Sequence, residues 1–361
     1  METLLFYINA INGGGAERVI LQLARHFAEN GYRSVLVTSF VDEGNEYDVP
    51  QNVTRISMEQ KEVKQSRLKR NISRISKLRK IIKKERPIAV ISFMAEPNFR
   101  AIIANIGLQS KCIVSVRNDP NREYGGKIGR IVGKYILPYA DGCVFQTEEA
   151  KSWFPEKLQQ KSQVIINDVK EEFFLVNREK TRNIITVGRL SKQKNHNLLI
   201  DAFAKIAGKH PDQNLLIYGS GILEKKLIDQ IESLGMEERI KLMGSISDVT
   251  CALEEASVFA LSSDYEGMPN CLMEALAAGV PCVSTDCPCG GPRALIQNGE
   301  NGFLVPVGDK DAMARALDIL LSDRHISESF GKKAKERAML FHPDRIFAQW
   351  KSFLEVIVNS D

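Results

Sequence analysis

Two glutamates eight positions apart, Glu266 and Glu274, bracket a Gly-Met-Pro turn and the start of an alanine-rich run in EGMPNCLMEALAAGVPCVST. A carboxylate set among alanines is expensive to bury unless something binds it. Turned toward a ligand, Glu274 can accept hydrogen bonds from the two vicinal hydroxyls of a ribose. Glu266, at the start of the expected helix, can reach the hydroxyls of a sugar further along. The helix between them would point its amide end the same way, favouring an anion by about 0.3–1 kcal/mol. The plainer reading is a capping acid followed by a satisfied core glutamate.

Cations and glycines supply the rest of an anion site. In VGRLSKQKN, Arg189 and Lys194 follow an apolar strand and precede a helix. A guanidinium fork and a point-charge ammonium there can neutralise a diphosphate without a metal. In NGGGAERV, Asn12 to Val19, successive glycines after the first strand leave amides open to a phosphate. This is not G-x-G-x-x-G, and the second strand ends in Thr38 and Ser39 rather than an acid, which argues against NAD. The DYE triplet at 264–266 has the outline of a D-x-D metal motif, but the cations and the helix end already do that work. Cys282, Cys287 and Cys289 lack paired C-x-x-C spacing and a nearby histidine, so they read as structural.

The elements that must hold these loops alternate. TLLFYI, RSVLVTSF, IAVISF and CIVSV are continuous apolar strands separated by helical patterns, and after DVKEEFFLVNREKTRN the alternation restarts with IITVGRL. Such strands indicate parallel sheets covered on both faces, hence two doubly wound α/β halves with the loops gathered at the carboxyl ends of the strands. The final stripe Ile346, Phe347, Trp350, Phe353, Leu354 and Ile357 is expected to cross back toward the first half. The 361 residues suit two domains, and 43% apolar with 26% charged residues is ordinary for a soluble globular chain. No apolar run spans a membrane, the amino terminus does not read as a signal peptide, and seven scattered cysteines suit a reducing cytosol. The net charge of +4 is unevenly spread: residues 1–170 carry 27 Lys and Arg against 18 Asp and Glu. The first half is therefore expected to meet something anionic.

Taken together, E-x7-E, GRLSKQKN, GGAE and GENGFLV resemble the retaining GT-B glycosyltransferases of family 4, over nearly the whole chain. The resemblance implies two Rossmann-like domains facing a central cleft: an acceptor domain at 1–169, a nucleotide-sugar domain at 170–342, and a returning helix at 343–361. It implies metal-independent transfer from a nucleotide sugar, UDP-sugar above all, with no cofactor. Glu266 would contact the donor sugar and Glu274 the ribose, while Arg189 and Lys194 hold the diphosphate. Gly14 and Gly15 would face that diphosphate. Gly219, Ser220, Ser245 and Ile246 would lie by the base, and Gly267, Met268, Pro269, Asn270 and Leu272 would complete the donor site. The departing phosphate would itself take the acceptor proton in a front-face displacement. Relatives often carry a histidine where this chain reads Arg117, Asn118 and Asp119, and many carry a glutamate at Ala294. Arg117 and Asn118, with Arg18, are therefore assigned to the acceptor.

Between Lys64 and Arg86 stand eleven basic residues and one acid, with Leu68, Ile72, Ile75, Leu78 and Ile82 at helical spacing. A basic amphipathic helix suits an anionic bilayer or a diphosphate-bearing lipid. Lys64, Arg67, Lys69, Arg70, Arg74, Lys77, Lys80 and Lys84 are its expected recruiting cations, with the apolar stripe at least partly packed inward. The expected function is extension of a lipid-linked surface glycan by a protein held peripherally at the cytoplasmic face of the membrane. The alternatives are a GT-B sugar-nucleotide epimerase and a transferase using a soluble acceptor. Nucleic-acid binding is disfavoured, because the helix lacks interleaved aromatics.

Overall fold

The computed structural model describes every residue except 43, 45, 62–65, 179–181, 247 and 361; Lys64, assigned above to the membrane, lies outside the described residues. Two compact units emerge, one of Met1–Asn167 with Asp344–Asp361, the other of Asp168–Pro343.

In the first unit, β1 (Thr3–Ile8), β2 (Arg33–Thr38), β3 (Val53–Ser57), β4 (Ala89–Phe93), β5 (Lys111–Ser115), β6 (Gly142–Phe145) and β7 (Ser162–Val164) form one parallel sheet, ordered β3-β2-β1-β4-β5-β6-β7. Strand order reverses between β1 and β4, which opens a crevice at their carboxyl ends. The returning helix Pro343–Asn359 packs on this unit. Its Trp350 stacks on Phe93 at 6.0 Å and its Phe347 meets Phe27 edge-on at 5.0 Å. Phe353 lies so close to β6 that a Cβ on Gly142 would come within 3.0 Å of its ring.

The basic helix forms over Arg67–Glu85, but its faces differ from the expected ones. Leu78 and Ile82 are buried, whereas Leu68 and Ile72 are 72% and 60% exposed. Arg74, expected among the outward cations, is only 1% exposed. Its guanidinium donates to Glu59 at 2.7 Å and lies over the Phe40 ring at 5.3 Å. Lys77 also reaches Glu59, at 3.2 Å. The reason is the carboxylate just past β3. It draws inward Arg74, which helical spacing alone assigns to the outer surface, and holds Lys77 at the edge of the contact, so that the amino-terminal half of the apolar stripe turns outward. Burial opposes ionisation of Glu59, but the hydrogen bonds from Arg74 and Lys77 hold it below the usual glutamate value. Arg67, Lys69, Lys80 and Lys84 are exposed, and Arg70 is half-buried.

The second unit holds β8 (Asn183–Val187), β9 (Asn214–Tyr218), β10 (Ile240–Gly244), β11 (Ala256–Leu261), β12 (Cys282–Thr285) and β13 (Gly302–Val305) in the order β10-β9-β8-β11-β12-β13, all parallel. Here the order reverses between β8 and β11. One apolar core, from Ile184 and Leu199 to Leu317 and Phe330, fills the space between sheet and helices.

Candidate functional site

The two loops that flank the second reversal carry the residues picked out above. After β8 the chain runs through Gly188 and Arg189 into a 3-10 turn, Lys192–Lys194, then passes Asn195 in the left-handed conformation and enters the helix His196–Ile206. After β11 it runs through Ser262 to Pro269 and enters the helix Asn270–Ala277. Neighbouring strands bring the loops side by side, and side chains join them. The Lys194 ammonium donates to Glu266 Oε1 at 2.6 Å, with both side chains largely buried. Ser263 donates to the same oxygen at 2.6 Å. Asn195 donates to Asp264 at 2.8 Å, and Ser262 donates to the Lys194 carbonyl at 2.9 Å. Gln193 donates to the Tyr265 carbonyl at 3.0 Å.

The electrostatics follow from this burial. Desolvation works against the Lys194 charge, but Glu266 outweighs it, so the lysine pKa stands above its ordinary value. Exposed Arg189 is near enough for its charge to oppose that of Lys194. Glu274 is buried on the second turn of its helix. Cys271 sits among Lys194, Glu266 and Glu274, and burial first, then the two carboxylates, push its thiol to about 11. Asp264 and Glu266, the DYE carboxylates, thus accept hydrogen bonds from Asn195 and Lys194.

Glycines allow the loops their close approach. A Cβ on Gly219 would lie 2.0 Å from the Gly188 carbonyl oxygen, and one on Gly291 would lie 1.9 Å from that of Gly267. Gly219 also donates to the Gly244 carbonyl at 2.7 Å, while Leu190 donates to that of Ser220 at 2.9 Å. Ser245 donates to Ser220 at 3.0 Å, so these two predicted base-side residues meet; Ile246 is half-buried beside them. Gly267, Met268 and Pro269 are buried, Asn270 opens the helix, and Leu272 points into the core. Ala294, in the short helix Gly291–Leu295, offers its carbonyl to Arg337 at 3.0 Å. None of the buried cysteines 282, 287 and 289 forms a disulfide, and Cys289 contacts the Glu266 carbonyl at 3.6 Å.

His196 was not singled out from sequence. It opens the helix after Lys194 and is buried beside the backbone of Gly188 and Arg189, and neither ring nitrogen reaches hydrogen-bond geometry with a described residue. Burial, then the nearby Lys194 charge, hold its pKa down at about 4. It is therefore a neutral wedge under the cationic loop.

In the first unit, Gly14 caps and Gly15 begins the helix Gly15–Glu29, with Arg18 half-buried on its first turn. A Cβ on Gly14 would strike the Glu17 carboxylate at 2.1 Å. Arg117, assigned above to the acceptor, is turned inward. It lies 4.4 Å over the Phe93 ring, donates to Ser115 at 3.3 Å and bonds Asn167. Its work is to fasten the end of β5 to the end of the first unit. Asn118 is half-buried and accepts from the Asp119 amide at 2.8 Å. Glu123 was also missed. It reaches back to accept the Ala95 amide at 2.6 Å, beside the backbone of Arg117 and Asn118, and Oε2 has no hydrogen-bond partner among the described residues. Burial lifts this carboxyl to about 7. A buried carboxylate thus lies beside residues 117–119, which stand where relatives often carry a histidine.

Two family models divide the chain between them: "Glycosyltransferase Family 4" matches residues 13–170, and "Glycosyl transferases group 1" matches residues 168–337. The chain is a GT-B glycosyltransferase. An uncharacterized glycosyltransferase of Haemophilus influenzae is 27% identical, over 97% of this chain and 98% of its own. A second relative is 27% identical over the full length of both chains. It is the Campylobacter jejuni alpha-1,4-N-acetyl-D-galactosaminyltransferase named for the acceptor GalNAc-alpha-(1->4)-GalNAc-alpha-(1->3)-diNAcBac-PP-undecaprenol. Among solved structures, HepE of Anabaena with UDP and glucose superposes with a TM-score of 0.83 at 18% identity, covering 99% of this GT-B chain and 100% of the other. No described helix is long and apolar enough to cross a membrane.

Proposed function

We propose that this glycosyltransferase moves a sugar from UDP-sugar to a polyprenyl-diphosphate-linked glycan with retention of anomeric configuration and without a metal. The observation that carries the reading is the buried Lys194–Glu266 pair, which joins the two loops at the strand reversal of the second sheet. That place suits a nucleotide diphosphate: Lys194 and the amino terminus of the Asn270–Ala277 helix would face it, and Glu266 and Glu274 would take sugar hydroxyls on either side. Lys194 and Arg189 would stabilise charge growing on the leaving diphosphate, the amide end of the Asn270–Ala277 helix would add to this, and the phosphate oxygen would remove the acceptor proton. Glu266 would orient the donor sugar, and Glu274 would bind the ribose.

Support for the acceptor comes from the Campylobacter relative's named undecaprenol-linked substrate and from the basic helix of the first unit, which fits work at the inner face of a membrane. The test is transfer from a panel of nucleotide sugars to a short-chain prenyl-diphosphate glycan. Glu274→Ala is expected to lower transfer by more than about a hundredfold while the melting temperature holds. Full activity in that variant would refute the site, and turnover of a UDP-sugar with no acceptor present would replace the transferase with an epimerase.

A further inference from the structure

The connection from β5 to β6 includes residues 124–140, among which there is no acid. The segment folds as a short helix, Lys127–Ile131, running into a π turn, Val132–Ile136, and a 3-10 turn, Leu137–Tyr139. Its inside and outside are the reverse of a docked helix. Its glycines pack closely: a Cβ on Gly129 would lie 2.6 Å from the carbonyl oxygen of Tyr124 at the start of the same connection, and one on Gly133, which faces the scaffold, would lie 3.0 Å from the Trp153 ring. The bulky apolar residues face out. Ile128, Ile131, Tyr135 and Tyr139, at spacings of three, four and four, are each more than half exposed. Lys127, Arg130 and Lys134 are exposed between them. The Lys134 ammonium sits 5.3 Å from the Tyr135 ring, and that of Lys157 sits 5.5 Å from Tyr139.

Neighbouring helices carry exposed apolar residues and cations of their own. The Ala95–Asn105 helix packs against the basic Arg67–Glu85 helix and also against the π and 3-10 turns. Leu68, Ile72 and Ile106 are exposed in this same layer, together with Lys69, Lys80, Lys83 and Lys84. A row of four exposed bulky apolar residues with cations beside it is not ordinary solvent-facing surface.

We propose that residues 127–139 enter the headgroup region of a bilayer rich in anionic lipid and form the apolar anchor of the first unit. Interfacial attachment needs apolar side chains to bury and cations to meet the headgroups, and tyrosine suits the level where the ring is in contact with acyl chains while the hydroxyl stays wet. Lysines set between the apolar residues favour lipid over a protein partner, whose interface core is poor in charge. The cations of the Arg67–Glu85 helix alone would give only adsorption that salt removes. The proposal shares with the reading above only the bilayer, and binding is measured without substrates, so the two can fail separately.

The full-length protein is floated with phosphatidylcholine vesicles and with equal-part phosphatidylcholine–phosphatidylglycerol vesicles. Flotation is expected only with the second kind, and roughly tenfold weaker for the triple variant Ile128→Ser, Ile131→Ser, Tyr135→Ser. Its far-ultraviolet dichroism and its turnover of a water-soluble acceptor should match the parent. Should the triple variant misfold, Tyr135→Trp decides: lipids brominated on their acyl chains are expected to quench its emission beyond that of the parent protein. The idea is overturned if the triple variant floats like the parent, or if the Tyr135→Trp emission is not quenched. It is likewise overturned if the substitutions change a dimer to a monomer on sedimentation and leave flotation intact.

Discussion

His196 and Glu123 make opposite demands on pH, and both can be tested by denaturation. His196 is a base held at about 4 by burial and by Lys194, against an ordinary 6.5. The unfolded chain binds more protons than the folded one between those values. Stability present above pH 6.5 is therefore lost as pH falls toward 4, by about 3 kcal/mol at most. His196→Gln should flatten that acid limb in urea titrations, and an unchanged limb would reject the assignment. Glu123 is an acid raised to about 7 by burial. Its contribution is present below the ordinary glutamate value of 4.5 and is lost as pH rises through 7, by about 3 kcal/mol at most. Glu123→Gln should therefore gain stability over the parent on the alkaline side, and an advantage seen only below pH 5 would contradict the burial argument.

At the scale of elements, the basic helix separates its cations by what lies beneath them. Arg74 and Glu59 form a buried pair, so Arg74→Met would leave Glu59 with only the half-exposed Lys77 as a cationic partner, at a cost of about 2–3 kcal/mol. Leu68→Ser on the same helix should change stability by less than about 0.5 kcal/mol, because that side chain already faces water. Equal costs for the two would mean that the helix docks by its apolar stripe after all. In the second unit the corresponding test is Gly219→Ala. Its Cβ would meet the Gly188 carbonyl oxygen at 2.0 Å, and its φ is 147°. The loop after β8 would have to move, and on the proposed donor site UDP binding by calorimetry should weaken by roughly tenfold or more.

For the whole molecule, the returning helix ties the carboxyl terminus to the first unit. Trp350, Phe353, Leu354 and Ile357 are buried. A chain ended at His342 would uncover their partners, Phe93 and Gly142 among them, and leave the second unit's own core untouched. Limited proteolysis of that chain should leave a resistant fragment near residues 168–342 while the first unit is digested. A first unit that resists digestion equally well would show the helix to be dispensable.

Much of the architecture was legible in the sequence, because its signals are local. Continuous apolar strands bounded by helical patterns specify parallel sheets, and the glycine, cation and carboxylate motifs lie in strand-end loops wherever such sheets form. The structure bears out the α/β class and the two doubly wound sheets. Other features depended on residues far apart in the chain. Helical periodicity assigned Arg74 outward, since nothing nearby announced Glu59, and residues 115–120 gave no sign that Arg117 would lie over Phe93 and bond Asn167. His196 and Glu123 passed unremarked because a lone histidine or glutamate carries no spacing signal, and only burial makes them unusual. The sequence by itself determined which elements form and where their loops gather, through backbone preference and apolar period. Which charges meet, which are buried and which apolar residues stay in water was decided by tertiary packing, because desolvation and Coulomb energy depend on distances that only the folded chain sets.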